Sequence, residues 1–367
     1  MRICLVITEL EPGGAERALV HLACGLQARN IDVFVISLKP LPESGRRELV
    51  DRLEEQGIAC ATLGIQGAAG FLRARKRLRS MLVTFQPHLV QSFLHHANIL
   101  SAMTWHSKDP WKVVAGYRVA DPGRWRRFLE RRYRRRWCHF TCVSSEVAED
   151  LITHVGIDRE HVTTIPNAVD IARFRDARPL SSTDLGIPRG RRILGFIGRL
   201  HSQKGLEPLI PHLPQLFDML PDHDLVIAGE GPRRVALRKA VQRHGVDDRV
   251  FLLGWSDKIP SLMASLDILL LPSSWEGMPN VILEAMAAGK PVVSFAVQGV
   301  ADLLGDAGSP QVAAAGDYAV FCQKVIDLAT SPERARQLGQ RNATWVEQFS
   351  IGAMVDRYNQ LYDKLCG

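Results

Sequence analysis

Short runs of apolar, β-rich positions alternate along this chain with helix-length segments whose apolar residues recur at three- and four-residue spacing. Ile3 to Thr8, Asp32 to Leu38, Leu89 to Phe93, Val113 to Tyr117 and Phe140 to Ser144 read as strands. Between the first two, the turn Glu11-Pro-Gly-Gly-Ala-Glu-Arg17 feeds a helix carrying Leu19, Leu22, Ala23 and Leu26 on one face. Residues 176–192 then collect Pro, Ser, Thr, Gly and charges with little periodicity, as a connection between domains does. A second series of strands follows at Ile193 to Ile197, Leu225 to Ala228, Val250 to Leu253, Ile268 to Leu271 and Pro291 to Phe295. Strand and helix in strict alternation predict α/β architecture with a parallel sheet in each of two domains.

The length, 367 residues, agrees with two cores of roughly 150 to 200 residues, and two domains predict a cleft between them. No apolar run approaches the roughly 20 residues that cross a bilayer, and residues 1–8 enter a strand with no signal-peptide core ahead of it. The chain is therefore expected to stay on the cytoplasmic side. Seven scattered cysteines suit reduced, buried thiols; Cys138 and Cys142 lack the companion ligands that a zinc site needs, so no metal is expected. Charge is informative once divided. Up to residue 180 there are 27 Lys and Arg against 19 Asp and Glu; beyond it, 19 against 20. The basic first half favours phosphate-rich or anionic partners.

Three elements carry candidate chemistry. In Ser273 to Pro291 a strand ends in a loop and a helix begins near Pro279, with Gly289 at its end. The first-turn amides around Asn280 and Val281, with the helix dipole behind them, form an anion site suited to a diphosphate. Glu276 precedes that helix and Glu284 lies within it, so two carboxylates can bond hydroxyls at both ends of a nucleotide sugar. Gly198-Arg-Leu-His-Ser-Gln-Lys-Gly205 follows the first strand of the second domain, where Arg199 and Lys204 can neutralise a departing diphosphate. Gly13 and Gly14 let the first domain's backbone approach the same group. Taken singly, each also reads blandly: a loop charge with a solvated helix residue, two exposed cations, a plain turn.

Together these segments resemble retaining glycosyltransferases of family 4, a GT-B group marked by two carboxylates separated by seven residues, as Glu276 and Glu284 are. The likeness also takes in Pro12 to Arg17, Ile165-Pro-Asn-Ala-Val-Asp170, Gly229-Glu-Gly-Pro232 and Phe251-Leu-Leu-Gly-Trp255. It implies two Rossmann-like doubly wound domains facing a central cleft: residues 1–178 for the acceptor, 190–345 for the nucleotide sugar, and a final helix in 346–367 crossing back. It further implies Glu276 on the donor sugar's hydroxyls, Glu284 on the ribose, and Arg199 and Lys204 on the diphosphate. Gly277, Met278, Pro279, Asn280 and Val281 would line the donor, and the backbone at Leu253, Gly254 and Trp255 the base. Many relatives carry a histidine after the strand Val113 to Tyr117, where this chain has Arg118; a subset shares the pattern of Ser92-Phe-Leu-His-His-Ala-Asn98. On that basis Arg118 and His96 are assigned to the acceptor side, ahead of His95.

No carboxylate in these motifs is placed as a nucleophile, so the expected mechanism is front-face displacement, with the leaving phosphate taking the acceptor's proton. From Arg118 to Trp137 there are nine arginines, among which Trp125, Phe128, Leu129, Tyr133 and Trp137 recur at helical intervals. That is the pattern of an interfacial helix, and Arg73, Arg75, Lys76, Arg77 and Arg79 add a second basic cluster. Peripheral attachment to an anionic membrane and a lipid-linked acceptor follow as expectations. A solvated basic helix with its aromatics packed inward has the same composition. RNA binding would leave the second-half motifs unexplained, so no nucleic-acid partner is expected. A nucleotide-sugar epimerase and a catalytically silent nucleotide-sugar binder stay open as alternatives.

Overall fold

The computed structural model describes every residue except 44, 66–69 and 121–122. It divides into two compact units, Met1–Ala168 with Ile351–Gly367, and Val169–Ser350. In the first, β1 (Arg2–Ile7), β2 (Asp32–Ser37), β3 (Ala59–Thr62), β4 (Leu89–Phe93), β5 (Lys112–Tyr117), β6 (His139–Cys142) and β7 (Val162–Thr164) form one sheet in the order β3-β2-β1-β4-β5-β6-β7. All its pairings are parallel. The second unit holds β8 (Arg192–Ile197), β9 (His223–Ala228), β10 (Val250–Gly254), β11 (Ile268–Leu271), β12 (Val292–Phe295) and β13 (Val312–Ala313) in the order β10-β9-β8-β11-β12-β13, again all parallel. Continuous apolar strands such as Ile3 to Ile7 are fully buried, because a parallel sheet carries helices on both faces.

Both sheets reverse their strand order once, between β1 and β4 and between β8 and β11. At such a reversal the connections leave toward opposite faces and the carboxyl ends of two neighbouring strands open a crevice, which is where doubly wound sheets bind ligands. The loops after β1, β8 and β11 carry Gly13, Lys204 and Glu276, and the first turn of the helix after β4 carries His96.

The stretch 176–192 is no free connection. Helix Ile171–Arg175 packs against helices Ile259–Ser265 and Asn280–Ala287, the Leu180 amide donates to Ser265 Oγ at 2.7 Å, and Val169 bridges to Ser350. These contacts move the division to Ala168 and Val169, ahead of the polar run. The seven cysteines are unpaired and buried or half-buried; burial pushes the Cys138 thiol up to about 11 and the Cys142 thiol up to about 12. Among the described residues no helix is long and apolar enough to cross a membrane.

Helix Ile351–Cys366 belongs to the first unit and packs on helix Gly14–Gln27. Met354, Val355, Tyr358 and Tyr362 enter the core with Leu19, Leu22 and Leu26. The Tyr362 hydroxyl donates to Gln91 Oε1 at 3.2 Å, and Gln91 Nε2 donates to Thr141 Oγ1 at 3.3 Å, so one polar thread ties the last helix to β4 and β6. Tyr362→Phe should cost about 1 kcal/mol by orphaning the Gln91 carbonyl, and Tyr362→Ala about 3 to 5 kcal/mol through the cavity it leaves. Urea unfolding measures both; equal losses would show that the ring contributes nothing beyond its hydroxyl.

Candidate active site

In the second unit the loops after β8 and β11 are stitched together across the strand-order reversal. The Ser274 amide donates to the Gln203 carbonyl at 2.8 Å, and Gln203 Nε2 donates back to the Trp275 carbonyl at 2.8 Å. Beside them Lys204 Nζ meets Glu276 Oε1 at 2.5 Å, with side chains only 18% and 10% exposed. A cation and an anion so poorly solvated are tolerable because each neutralises the other. Gly205 makes the approach possible: its φ is +64°, and a Cβ there would lie 1.9 Å from the Pro272 carbonyl oxygen. No other residue fits this turn without moving the next loop.

Helix Asn280–Ala287 starts directly after this pair, with Pro279 as its N-cap and no acidic residue in its first turn. Its positive end therefore faces no carboxylate from that turn. Gly277, Met278 and Pro279 are buried, Asn280 and Val281 half-buried, and Glu284 half-buried on the following turn. Arg199 stands exposed in the β8 loop and makes no side-chain hydrogen bond or ion pair with the described residues. At the end of β10, Leu253 is half-buried and Gly254 buried, its carbonyl accepting from the Gly229 amide at 2.7 Å, whereas Trp255, just beyond the strand, is 71% exposed. The structure thus pairs Lys204 with Glu276, three residues ahead of the helix's N-cap Pro279; it leaves Arg199 and Trp255 open to solvent.

In the first unit Gly13 is extended backbone at the N-cap of helix Gly14–Gln27, and Gly14 is exposed. The space beside Gly13 is already filled: a Cβ there would lie 2.2 Å from Glu16 Oε2, and Glu16 is buried. After β4, His96 is exposed at its surface; partial desolvation of its ring and then the charges of nearby His95, Arg126 and Lys39 lower its pKa. His95 is turned inward, its Nδ1 3.0 Å from Oε1 of the buried Glu130. Arg118 is also buried. Its Nη1 donates to Asn167 Oδ1, its guanidinium lies 4.8 Å over the Phe93 ring, and Nη2 has no hydrogen-bond partner among the described residues.

Gln203, Glu16, Glu130, Asn167 and Asn98 were not singled out as functional from the sequence. Gln203 and Asn167 sit inside motifs already quoted, where polarity within an otherwise apolar or glycine-rich run was the available signal. Glu130 lies in the arginine-rich helix and carried no signal beyond being an acid among cations. Among the described residues no group of three or more His, Cys, Asp or Glu is placed to hold a metal ion.

Two family models match the chain in succession: Glycosyltransferase Family 4 over residues 12–173 and Glycosyl transferases group 1 over residues 178–345. A 2-deoxystreptamine N-acetyl-D-glucosaminyltransferase of Streptomyces fradiae is 30% identical over 223 residues, 58% of this chain and 51% of that protein. The UDP-Gal:alpha-D-GlcNAc-diphosphoundecaprenol alpha-1,3-galactosyltransferase of Escherichia coli is 32% identical over 164 residues, 43% of this chain and 42% of that one. The chain spans about half the length of these curated relatives. Among solved structures, Anabaena Alr3699/HepE in complex with UDP superposes with a TM-score of 0.85 at 20% identity, covering 99% of this chain and 100% of that one. That likeness shows the fold, GT-B, with its two Rossmann-like domains.

Since Lys204 and Glu276 are each other's counter-charge, removing either leaves a poorly solvated ion. Glu276→Gln and Lys204→Met should each destabilise by about 2 kcal/mol, while the double variant loses much less than the sum. Chemical denaturation of the four proteins tests this; strict additivity would mean the pair carries no coupling energy.

Proposed function

Given that the chain belongs to the family 4, group 1 glycosyltransferases, we propose that it transfers a sugar, with retention and without a metal, from a nucleoside-diphosphate sugar to a lipid-linked glycan acceptor. The observation that carries this reading is the Lys204–Glu276 pair at the start of helix Asn280–Ala287, in the crevice between β8 and β11. Lys204 and the helix's positive end attract a diphosphate, and Glu276, released from Lys204, accepts hydroxyls of the sugar. Glu284 takes the ribose, the backbone from Leu253 to Trp255 the base, and the exposed Arg199 the outer phosphate oxygens. UDP-bound Anabaena Alr3699/HepE, which shares the fold, supports a nucleoside diphosphate as leaving group.

Chemistry at this site needs charge stabilisation more than a nucleophile. As the sugar–phosphate bond breaks, negative charge grows on the diphosphate, where Lys204, Arg199 and the helix amides meet it. The same leaving oxygen is the base that takes the proton of an acceptor hydroxyl attacking from the same face. Gly13, Gly14, His96 and Arg118 belong, in this reading, to the ends of the first sheet's strands, with His96 and Arg118 on the acceptor side.

A lipid-linked acceptor, at the inner face of the membrane in cell-surface polysaccharide or glycolipid synthesis, is supported by the named acceptor of the Escherichia coli relative and by the first unit's surface. Trp125 is 70% and Phe128 55% exposed, their rings stacked 5.4 Å apart on helix Arg124–Tyr133 among exposed Arg124, Arg126, Arg131 and Arg132. On helix Phe71–Phe85, Leu72 is 70% exposed beside Arg73. Apolar rings ringed by arginine suit an anionic bilayer, each cation near the surface contributing about 1 kcal/mol.

Two outcomes are expected. A screen of UDP-, GDP- and ADP-sugars should raise the melting temperature with one nucleotide class and yield transfer in excess EDTA, and Arg199→Ala should lower kcat about 100- to 1,000-fold with little change in donor KM. A rise in KM alone would remove Arg199 from the reaction, and an isomerised donor without transfer would replace the transferase by an epimerase. The protein should also float with phosphatidylglycerol vesicles at low salt and detach as salt rises, and Trp125→Ala with Phe128→Ala should abolish flotation. Equal recovery with neutral vesicles would refute an electrostatic attachment.

A further inference from the structure

The reversal between β1 and β4 gives the first unit a crevice of its own, and β4 delivers a histidine to it through an unusual turn. β4 ends at Phe93 and the next helix, His95–Thr104, begins two residues later. Leu94 alone makes the change of direction, with φ +74° and ψ 153°, a region that side-chain-bearing residues rarely enter. Such a conformation costs about 1 to 3 kcal/mol and persists only where the surroundings impose it. Here they do. The Leu94 amide donates to the Gly116 carbonyl at 3.3 Å, and Asn98 clasps Gly116 from the helix, Nδ2 to its carbonyl at 3.0 Å and Oδ1 from its amide at 3.3 Å. The same device, a strained residue between strand and helix, is how a sheet presents a reactive side chain at its carboxyl edge.

What it presents is His95. Its Nδ1 lies 3.0 Å from Glu130 Oε1, and the two side chains are 14% and 9% exposed. A carboxylate can only accept, so Nδ1 carries the proton and a neutral ring keeps its lone pair on Nε2. Nε2 has no hydrogen-bond partner among the described residues, and it is not one of the sealed, unsatisfied polar atoms, so it reaches the surface. Glu130 does for this ring what a carboxylate does behind a base or a metal ligand: it fixes the tautomer and the orientation.

We propose that His95, locked by Glu130 as its Nδ1–H tautomer, is a hydroxyl-recognition residue for the acceptor, with Nε2 accepting a hydrogen bond from an acceptor hydroxyl. This rests on the transferase reading above and moves the acceptor-side role from exposed His96 to its neighbour. His96 packs edge-on against the His95 ring, 5.6 Å between centroids, and has no carboxylate among the described residues to set its tautomer. Glu130 is a positioning residue. Because it lies on the helix that exposes Trp125 and Phe128, the ring's orientation depends on the segment assigned to the membrane.

The test has two arms. Histidine-selective ¹⁵N labelling reads the tautomer, with His95→Gln assigning the signal; the Nδ1–H form is expected in the wild type, and a mixture in Glu130→Leu. An Nε2–H or rapidly exchanging wild-type ring overturns the proposal whatever the enzyme does. In the second arm, N-acetylglucosaminyl-diphosphoundecaprenol in detergent serves as acceptor probe, with the donor identified by thermal shift. His95→Gln and Glu130→Leu should lower acceptor kcat/KM about 10- to 100-fold, leaving donor affinity and acceptor-free donor hydrolysis within about twofold; Glu130→Asp should restore part of the loss. Unchanged acceptor kcat/KM in His95→Gln also overturns it. A wild type that binds no nucleotide sugar sinks the transferase reading instead, and the tautomer arm still judges the pair.

Discussion

A lysine and a glutamate 72 positions apart in sequence share one poorly solvated position at 2.5 Å, and the second unit is arranged so that they can. Parallel strands bury both faces under helices, so irregular backbone survives only at the sheet's ends. Reversal of strand order between β8 and β11 then puts the two carboxyl-end loops side by side. The Gln203 stitch and the tight turn at Gly205 bring them close enough for Lys204 to reach Glu276. Each offsets the other's charge in a place where either alone would be costly, which is the condition for exchanging partners when a ligand offers a phosphate to one and hydroxyls to the other.

The first unit solves the same topological problem with different electrostatics. Its corresponding helix, Gly14–Gln27, has Glu16 buried in its first turn and folded back beside Gly13, whereas helix Asn280–Ala287 has no acid there. One helix therefore carries an acid of its own in its first turn and the other does not. Among carboxyl-end loops otherwise alike, this separates a helix start suited to a phosphate from one suited to the uncharged hydroxyls of a sugar. The imidazole held by Glu130 after β4 belongs to the second kind. Beside Gly13, the missing side chain leaves the room that Glu16 fills.

Ten strands were legible in the sequence because buried parallel strands are continuous apolar runs, whereas the short β3, β7 and β13, mostly half-buried, were not; Lys204, Glu276 and the helix start were legible because their spacing is dictated by one loop and one helix. What escaped was set by contacts distant along the chain. Residues 176–192 look like a linker by composition, yet Leu180 and helix Ile171–Arg175 are fastened to the second unit. Trp125, Phe128, Leu129, Tyr133 and Trp137 share a helical period, but the helix ends at Tyr133 and Trp137 is buried ahead of β6, leaving only Trp125 and Phe128 of the five exposed. His95 and His96 are indistinguishable by composition. Only Glu130, thirty-five positions away, separates them.

Leu94 shows why the missing information is physical. Nothing in a leucine between a phenylalanine and a histidine announces a positive φ, and its intrinsic preference opposes one. The conformation is imposed by Asn98, which bonds both backbone groups of Gly116, and by the Leu94 amide on the same carbonyl. Three hydrogen bonds, each contributing about 0.5 to 1.5 kcal/mol, are enough to offset about 1 to 3 kcal/mol of backbone strain. Helix His95–Thr104 lies against both helix Phe71–Phe85 and helix Arg124–Tyr133, so the strained turn is supported from the sheet below and by both basic helices. A side chain mounted on such a turn keeps its direction without a ligand present, and a preset direction is what a recognition residue needs if binding is not to be weakened by the cost of ordering it.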